Sequence, residues 1–197
     1  NFPCHDLEVE IATKKGIGTA KSFGYKLTDY SLIEEATSYY VAEVADLLRQ
    51  QKSAAAYIEV FLQTNSFSNT DNQYYKKTII TLQTPTNSTI KLTQEAIKGL
   101  KKIFKPGFRY KKVGVHLFGL VPENQIQTNL FYQEQKIESK ALTKAIDNLN
   151  SKFGKNKVKL ASVGNREKEW ALIKDHRSPR FTTQWSELLT IGKDKLS

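Results

Sequence analysis

The sequence predicts an α+β fold, a four-stranded antiparallel sheet with two helices on one face, followed by a smaller α+β extension. Three observations predict it. Four segments, near residues 21–27, 56–64, 74–84 and 109–120, alternate apolar and polar residues with the period of a half-buried strand. Two stretches with helical spacing of apolar residues fall between the first and second and between the third and fourth of them. Finally, a polar run at 122–138 ends this pattern and separates it from a remainder of different composition.

Taken in order, residues 1–20 have no stable period and are read as a linker. Asp6, Glu8 and Glu10 alternate with apolar residues, and Lys14-Lys15-Gly16-Ile17-Gly18 has the composition of a basic turn. The run Gly16 to Ser22 has glycines in common with a phosphate loop, but neither its Gly-Lys-Ser/Thr ending nor a preceding strand, which weighs against nucleotide binding. From Lys21, alternation places Phe23, Tyr25 and Leu27 inward and Ser22, Gly24 and Lys26 outward. Gly24 in a strand interior implies that another backbone comes close there. Ser31 and Glu34 have capping-box spacing ahead of a helix of about 20 residues, with Leu32, Ile33, Ala36, Tyr39, Tyr40, Val44, Leu47 and Leu48 on one stripe.

The second strand faces Ile58, Val60 and Leu62 inward, and the third carries Lys76 and Lys77. Thr93 is placed as the cap of a second helix, whose inward residues are Ala96, Ile97, Leu100, Ile103 and Phe104 and which Pro106-Gly107 stops. Arg109-Tyr110-Lys111-Lys112 opens the last strand, with Val113, Val115 and Leu117 inward. The order is β-α-β-β-α-β, the ferredoxin-like split pattern, which leaves one sheet face free. Beyond residue 138, Leu142, Ala145, Ile146 and Leu149 mark a third helix, and 158–163 and 170–173 read as a hairpin. Phe181 and Trp185 are expected to pack back on a helix.

Composition narrows the function. The chain has 197 residues, a net charge of +10 and one cysteine, Cys4, so it has no internal disulfide framework and no zinc-type cysteine spacing. No apolar run approaches the ~20 residues of a membrane span, and a soluble intracellular protein is expected. A surplus of cations suits a polyanionic partner. It is denser in residues 132–197, with fourteen Lys and Arg against eight Asp and Glu, than in the preceding part. The free face, with Ser, Thr, Gly and Lys, fits a phosphate backbone better than an apolar ligand. The absence of Met and the opening Asn1-Phe2-Pro3 read as a piece of a longer protein. No nucleophile–base pair or metal constellation is visible.

Gln127-Thr128-Asn129-Leu130-Phe131 offers two adjacent large apolar residues between polar flanks, the chemistry of an extended docking peptide. A buried strand end is the competing reading. The pentapeptide resembles the Gln-x-x-Leu-Phe peptide by which bacterial polymerases and repair proteins bind the sliding clamp.

Four motifs in this order carry a wider resemblance: Lys21-Ser22-Phe23-Gly24, then Tyr110-Lys111-Lys112-Val113-Gly114-Val115, the pentapeptide, and Arg177-Ser178-Pro179-Arg180-Phe181-Thr182-Thr183. Together they resemble the C-terminal part of the UmuC-like Y-family translesion DNA polymerases. The resemblance implies a DNA-gripping little-finger domain at 21–121, an exposed linker with the clamp peptide at 122–138, and a C-terminal extension at 139–197. Ser22, Phe23 and Gly24 would present first-strand backbone to phosphates, and Lys111 and Lys112 match a basic pair at the last strand. His116 stands where relatives can have Arg, and Thr128 where Leu is frequent in the clamp peptide. Lys21, Lys26, Lys76, Lys77 and Arg109 complete the expected DNA-binding set.

Implied partners are double-stranded primer-template DNA, a bacterial sliding clamp and, through the extension, UmuD′ and RecA; no membrane is expected. The setting is SOS DNA repair in the bacterial cytoplasm, at the nucleoid. Catalysis, with its Mg2+ ions, belongs to a palm not in this sequence, so no activity and no cofactor are expected of this chain. The alternative reading is an RNA-binding or single-strand-binding domain of ferredoxin-like fold. Such sheets stack bases on exposed aromatic residues, whereas the parity here turns Phe23 and Tyr25 inward.

Overall fold

The computed structural model describes residues 13–126, 140–155, 157–164, 169–173 and 178–188. The elements are β1 (Gly16–Leu27), α1 (Tyr30–Gln50), β2 (Ser53–Thr64), β3 (Tyr75–Thr86), α2 (Thr89–Ile103), β4 (Tyr110–Pro122) and α3 (Lys140–Phe153), with short 3-10 turns at Glu123–Gln125, Ala161–Val163 and Trp185–Glu187. The strands form one antiparallel sheet in the order β1-β4-β2-β3. β4 thus lies between β1 and β2, and β2 between β4 and β3, so each helix crosses over an inserted strand. The expected α+β architecture is the observed one.

Both helices lie on the same face because the strands bury one parity there. Ile58, Val60 and Leu62 of β2 and Val113, Val115 and Leu117 of β4 are buried, as are Ile33, Tyr40, Val44 and Leu48 of α1 and Leu92, Ala96 and Leu100 of α2. Truncating any of the leucines to alanine would cost about 2–5 kcal/mol. Tyr110, fully buried at the start of β4, both accepts from the Lys105 amide and donates to the Lys105 carbonyl at 2.9 Å, which fixes the chain after α2. The buried site pushes its phenol pKa up.

The caps differ from expectation. The N-cap of α1 is Asp29, whose carboxylate accepts from the Ser31 amide at 2.8 Å, so Ser31 is inside the first turn. Ser88 caps α2, and Thr93 is a buried residue of the helix interior. In both cases the true cap lies one helical step or more upstream, because these helices begin before their apolar stripe does. β1 likewise begins at Gly16, inside the expected linker.

The extension departs further. α3 forms, but Leu142 and Leu149 of its stripe are exposed, and no strand forms among the described residues of 158–173. Trp185 is 89% exposed, and the tryptophan that packs back is Trp170, at 3%. Trp170 has the rings of Tyr39 and Tyr40 around it and a carboxylate for its indole N–H.

Candidate nucleic-acid interface

The strand registers fix the open face residue by residue. β1 places Gly16, Gly18, Ala20 and Ser22 there, directly opposite Phe118, His116, Gly114 and Lys112 of β4. Those in turn face Tyr57, Glu59, Phe61 and Gln63 of β2, which face Thr81, Ile79, Lys77 and Tyr75 of β3. The face therefore has two halves. Toward β1 it is a row of the smallest side chains next to a lysine and a histidine. Toward β3 it is aromatic and aliphatic.

The small row lets large neighbours lie low. A Cβ at Gly16 would stand 2.6 Å from His116 Nε2, and one at Gly114 only 2.2 Å from the Phe61 ring. His116 therefore leans over the glycine row and Phe61 over Gly114. The rings of Tyr57 and Phe118 stack at 5.1 Å, those of Phe118 and His116 at 5.5 Å, and Phe61 meets Tyr75 at 6.0 Å. Sequence reasoning missed these aromatic residues and the glycine row as site residues. The signal was present, since Tyr57 and Phe61 alternate with Ile58 and Val60, and Gly16 and Gly18 with Ile17 and Thr19.

Most of the expected cations are engaged by the protein itself. Lys21, on the helix side of β1, pairs with Glu43 at 2.7 Å and lies over the Tyr39 and Tyr40 rings. Lys77 pairs with Glu59 at 3.0 Å on the open face, and that hydrogen bond raises its pKa. Lys26 and Arg109 converge on Asp71, in the loop between β2 and β3, whose side chain is 4% exposed. Hydrogen bonds from Lys26 and then Arg109 hold its carboxyl far below the usual carboxylate range. Lys111 donates to the carbonyls of Phe23 at 2.6 Å and Gly24 at 3.2 Å. Lys76 pairs with Leu62 on the helix side of the outer strand and is exposed. Lys112 and His116 are the members of the set that reach the open face without an acidic partner among the described residues.

A bulge explains why parity misled. Between Ser22 and Leu27 β1 gains residues on β4, where the partners are Lys112 and Tyr110. Phe23 and Leu27 are buried, but Tyr25, expected inward, is 67% exposed. The bulge carbonyls left without a ladder partner are those that Lys111 caps, which turns this lysine away from solvent. The close backbone approach foreseen at Gly24 is also intramolecular, since a Cβ there would stand 2.5 Å from the carbonyl oxygen of Ala171. Gln127, Thr128, Asn129, Leu130 and Phe131 lie outside the described residues.

Among the described residues there is no group of three metal-ligating side chains and no helix long and apolar enough to cross a membrane.

Comparison with known proteins gives matches over both parts of the chain. Residues 14–130 match the model of the impB/mucB/samB family C-terminal domain, and residues 140–191 that of a domain of unknown function (DUF4113). The chain is 34% identical over 190 residues to Protein UmuC of Salmonella typhimurium, which covers 96% of this chain and 45% of that protein. It is 31% identical over 186 residues to Protein SamB of Salmonella typhimurium, covering 94% and 43%. The chain thus spans less than half the length of these relatives. A solved complex of beta-clamp processivity factor and little finger domain of PolIV is similar with a TM-score of 0.41 and 18% identity, covering 59% of this chain and 99% of that one.

Proposed function

Because the chain belongs to the impB/mucB/samB family, whose C-terminal domain its residues 14–130 form, we propose that it is the DNA-gripping part of a Y-family translesion polymerase. In this reading the open face holds backbone phosphates of a primer-template duplex without reading bases. The observation that carries it is the row Gly16, Gly18, Ala20 and Ser22 on an edge strand, flanked by Lys112 and His116. The His116 ring lies over Gly16 and Gly18, so a phosphate approaches the strand backbone beside Ala20 and Ser22, whose side chains are small, while Lys112 opposite Ser22 supplies charge.

The same reading assigns clamp docking to residues 127–131, linked to the domain so that DNA and clamp contacts reinforce one another. It assigns 139–197 to contacts with UmuD′ or RecA, and the setting to bacterial DNA repair in the cytoplasm. It gives the chain no catalytic step and no cofactor of its own; nucleotidyl transfer with Mg2+ falls to a palm outside this sequence.

The aromatic half of the face favours a second reading, binding of single-stranded nucleic acid by stacking on Tyr57, Phe61, Tyr75 and Phe118. One titration separates them: labelled duplex, single-stranded DNA and RNA of the same sequence across a salt series. The duplex reading expects the tightest binding to duplex and little dependence on sequence. Preference for either single strand, lost in Tyr57→Ala, would transfer the function to the second reading. Clamp docking is tested separately by binding to a bacterial sliding clamp, which Leu130→Ala with Phe131→Ala should abolish while the fold persists. Equal binding by the double variant would remove the peptide from the account.

A further inference from the structure

The extension folds back on α1 and leaves a cleft between that helix and α3. Two sets of hydrogen bonds build its walls. Arg49 of α1 donates to both carboxylate oxygens of Asp147 on α3, at 2.7 and 2.8 Å, while its Nη1 reaches the Asn87 carbonyl and the Thr89 hydroxyl, so α3 is fixed against α1 and the start of α2. Beyond α3, the Asn150 side chain accepts from the Val158 amide at 2.8 Å and donates to the Val158 carbonyl at 2.9 Å, which holds the turn after the helix as a further piece of wall. The lining extends to Gly18 and Thr19 of β1. With a volume of about 560 Å³, the cleft has room for several side chains of a ligand.

The lining is apolar in one part and basic in another. Leu47, Ile146, Val158 and Leu160 form the apolar part, in which Leu47 and Val158 remain 40% and 39% exposed. Lys155 and Lys159 are exposed and have no acidic partner among the described residues, whereas the acids of the α1 wall are engaged, Glu43 by Lys21 and Asp46 by Gln50. A ligand that fits has apolar surface and a few spaced carboxylates. A nucleic-acid backbone has no apolar group for Leu47 and Val158, and it would set a charge at every nucleotide against Glu43 and Asp46. An extended peptide meets both needs. β1 is the end strand of the sheet, so the peptide backbone can run along its edge where Gly18 and Thr19 reach the cleft.

We propose that this cleft docks an acidic, extended segment of a partner protein, with a large apolar side chain against Leu47, Ile146, Val158 and Leu160 and carboxylates paired with Lys155 and Lys159. The proposal does not depend on the DNA reading, since α1 and α3 lie on the helix side of the sheet and the phosphate contacts on its open face.

The test selects random peptides of about a dozen residues, displayed on phage, against the full chain, and measures those recovered by fluorescence anisotropy. We expect them to carry Asp or Glu beside one or two large apolar residues and to compete with one another for one site. Lys155→Gln with Lys159→Gln should weaken them roughly fivefold, through the loss of two partly exposed ion pairs. Leu47→Ala, at a position exposed enough to leave the fold intact, should weaken them by a similar factor. Lys101→Gln with Lys102→Gln, losing the same charge at exposed positions of α2, should not. Duplex DNA should bind the cleft variants and the unaltered chain alike.

Recovery of no peptide, or of peptides that both cleft variants bind as well as the unaltered chain does, overturns the proposal and leaves DNA binding in place. Displacement of the peptides by duplex, with loss of duplex affinity in the lysine variant, overturns it too and gives these lysines to nucleic acid. A dimer in sedimentation that Leu47→Ala abolishes would give the cleft to a second copy of the chain instead. A chain that takes peptides at the cleft but no duplex at low salt would sink the DNA reading alone.

Discussion

Two adjacent lysines give the sharpest test of how this domain uses its charge. Lys112 stands on the open face opposite Ser22 and Gln63, whereas Lys111 reaches back to the carbonyls of Phe23 and Gly24. Replacing Lys112 by Gln should remove one phosphate contact and lower the slope of log affinity against log salt by about 0.9. Between 50 and 200 mM salt that difference amounts to about 3.5-fold, well within the reach of fluorescence anisotropy on a labelled duplex. The loss should be the same for any duplex sequence, since a phosphate contact carries no base information. Lys111→Gln should behave differently: the salt slope stays nearly as it was, while the fold loses about 1–3 kcal/mol through weaker capping of two bulge carbonyls. Urea denaturation of both variants measures that difference. The reasoning is refuted if Lys111→Gln lowers the slope as much as Lys112→Gln with stability unaltered, because the two ammonium groups would then be equivalent in solution.

Other outcomes follow from the interior. Lys26 and Arg109 depress the Asp71 pKa from its ordinary 3.8. A depressed carboxylate stabilises the fold above its unfolded-state pKa and loses that contribution as pH falls toward the folded value. Asp71→Asn should therefore lower the melting temperature at pH 7 and by progressively less below about pH 4; a gap that persists undiminished to pH 2.5 would contradict the assignment. Tyr110→Phe removes the hydroxyl serving both the amide and the carbonyl of Lys105 and should cost about 1–3 kcal/mol in chemical denaturation. No change would mean that water replaces the hydroxyl there.

How much of this was legible in the sequence depends on whether a local rule had a competitor. β2 and β4 were readable because Ile58, Val60 and Leu62, and Val113, Val115 and Leu117, alternate without interruption, and burial on a single face then enforces the register. The helices were readable from their stripes, but their starts were not, because Asp29 and Ser88 lie ahead of the first apolar repeat. β1 was misread at both ends. Its glycines signal flexibility when read alone and close approach when a neighbouring strand is known; only the pairing with His116 and Phe118 tells which. Tyr25 followed the parity rule until a bulge, which no residue pattern announced, cancelled it. The role of Trp170 was equally hidden, since its partners Glu35, Tyr39 and Tyr40 lie in α1, far away in sequence.

The same contacts set a limit on what a count of thirty lysines and arginines means for binding. A glycine-rich edge strand has a weakly specified register, since its glycines add no packing and no second neighbouring strand pins it. Here cations contribute to that specification: Lys21 joins β1 to Glu43 of α1, Lys26 ties its far end to Asp71, and Lys111 closes the bulge. Each bond holds a cation that a count of lysines and arginines alone would credit to nucleic acid. The salt dependence of duplex binding should accordingly follow the few cations that stand free on the open face, and fall well short of the slope that release by every lysine and arginine would give. A measured slope near nine would show that these internal bonds open when DNA binds, and with them the edge strand that they hold.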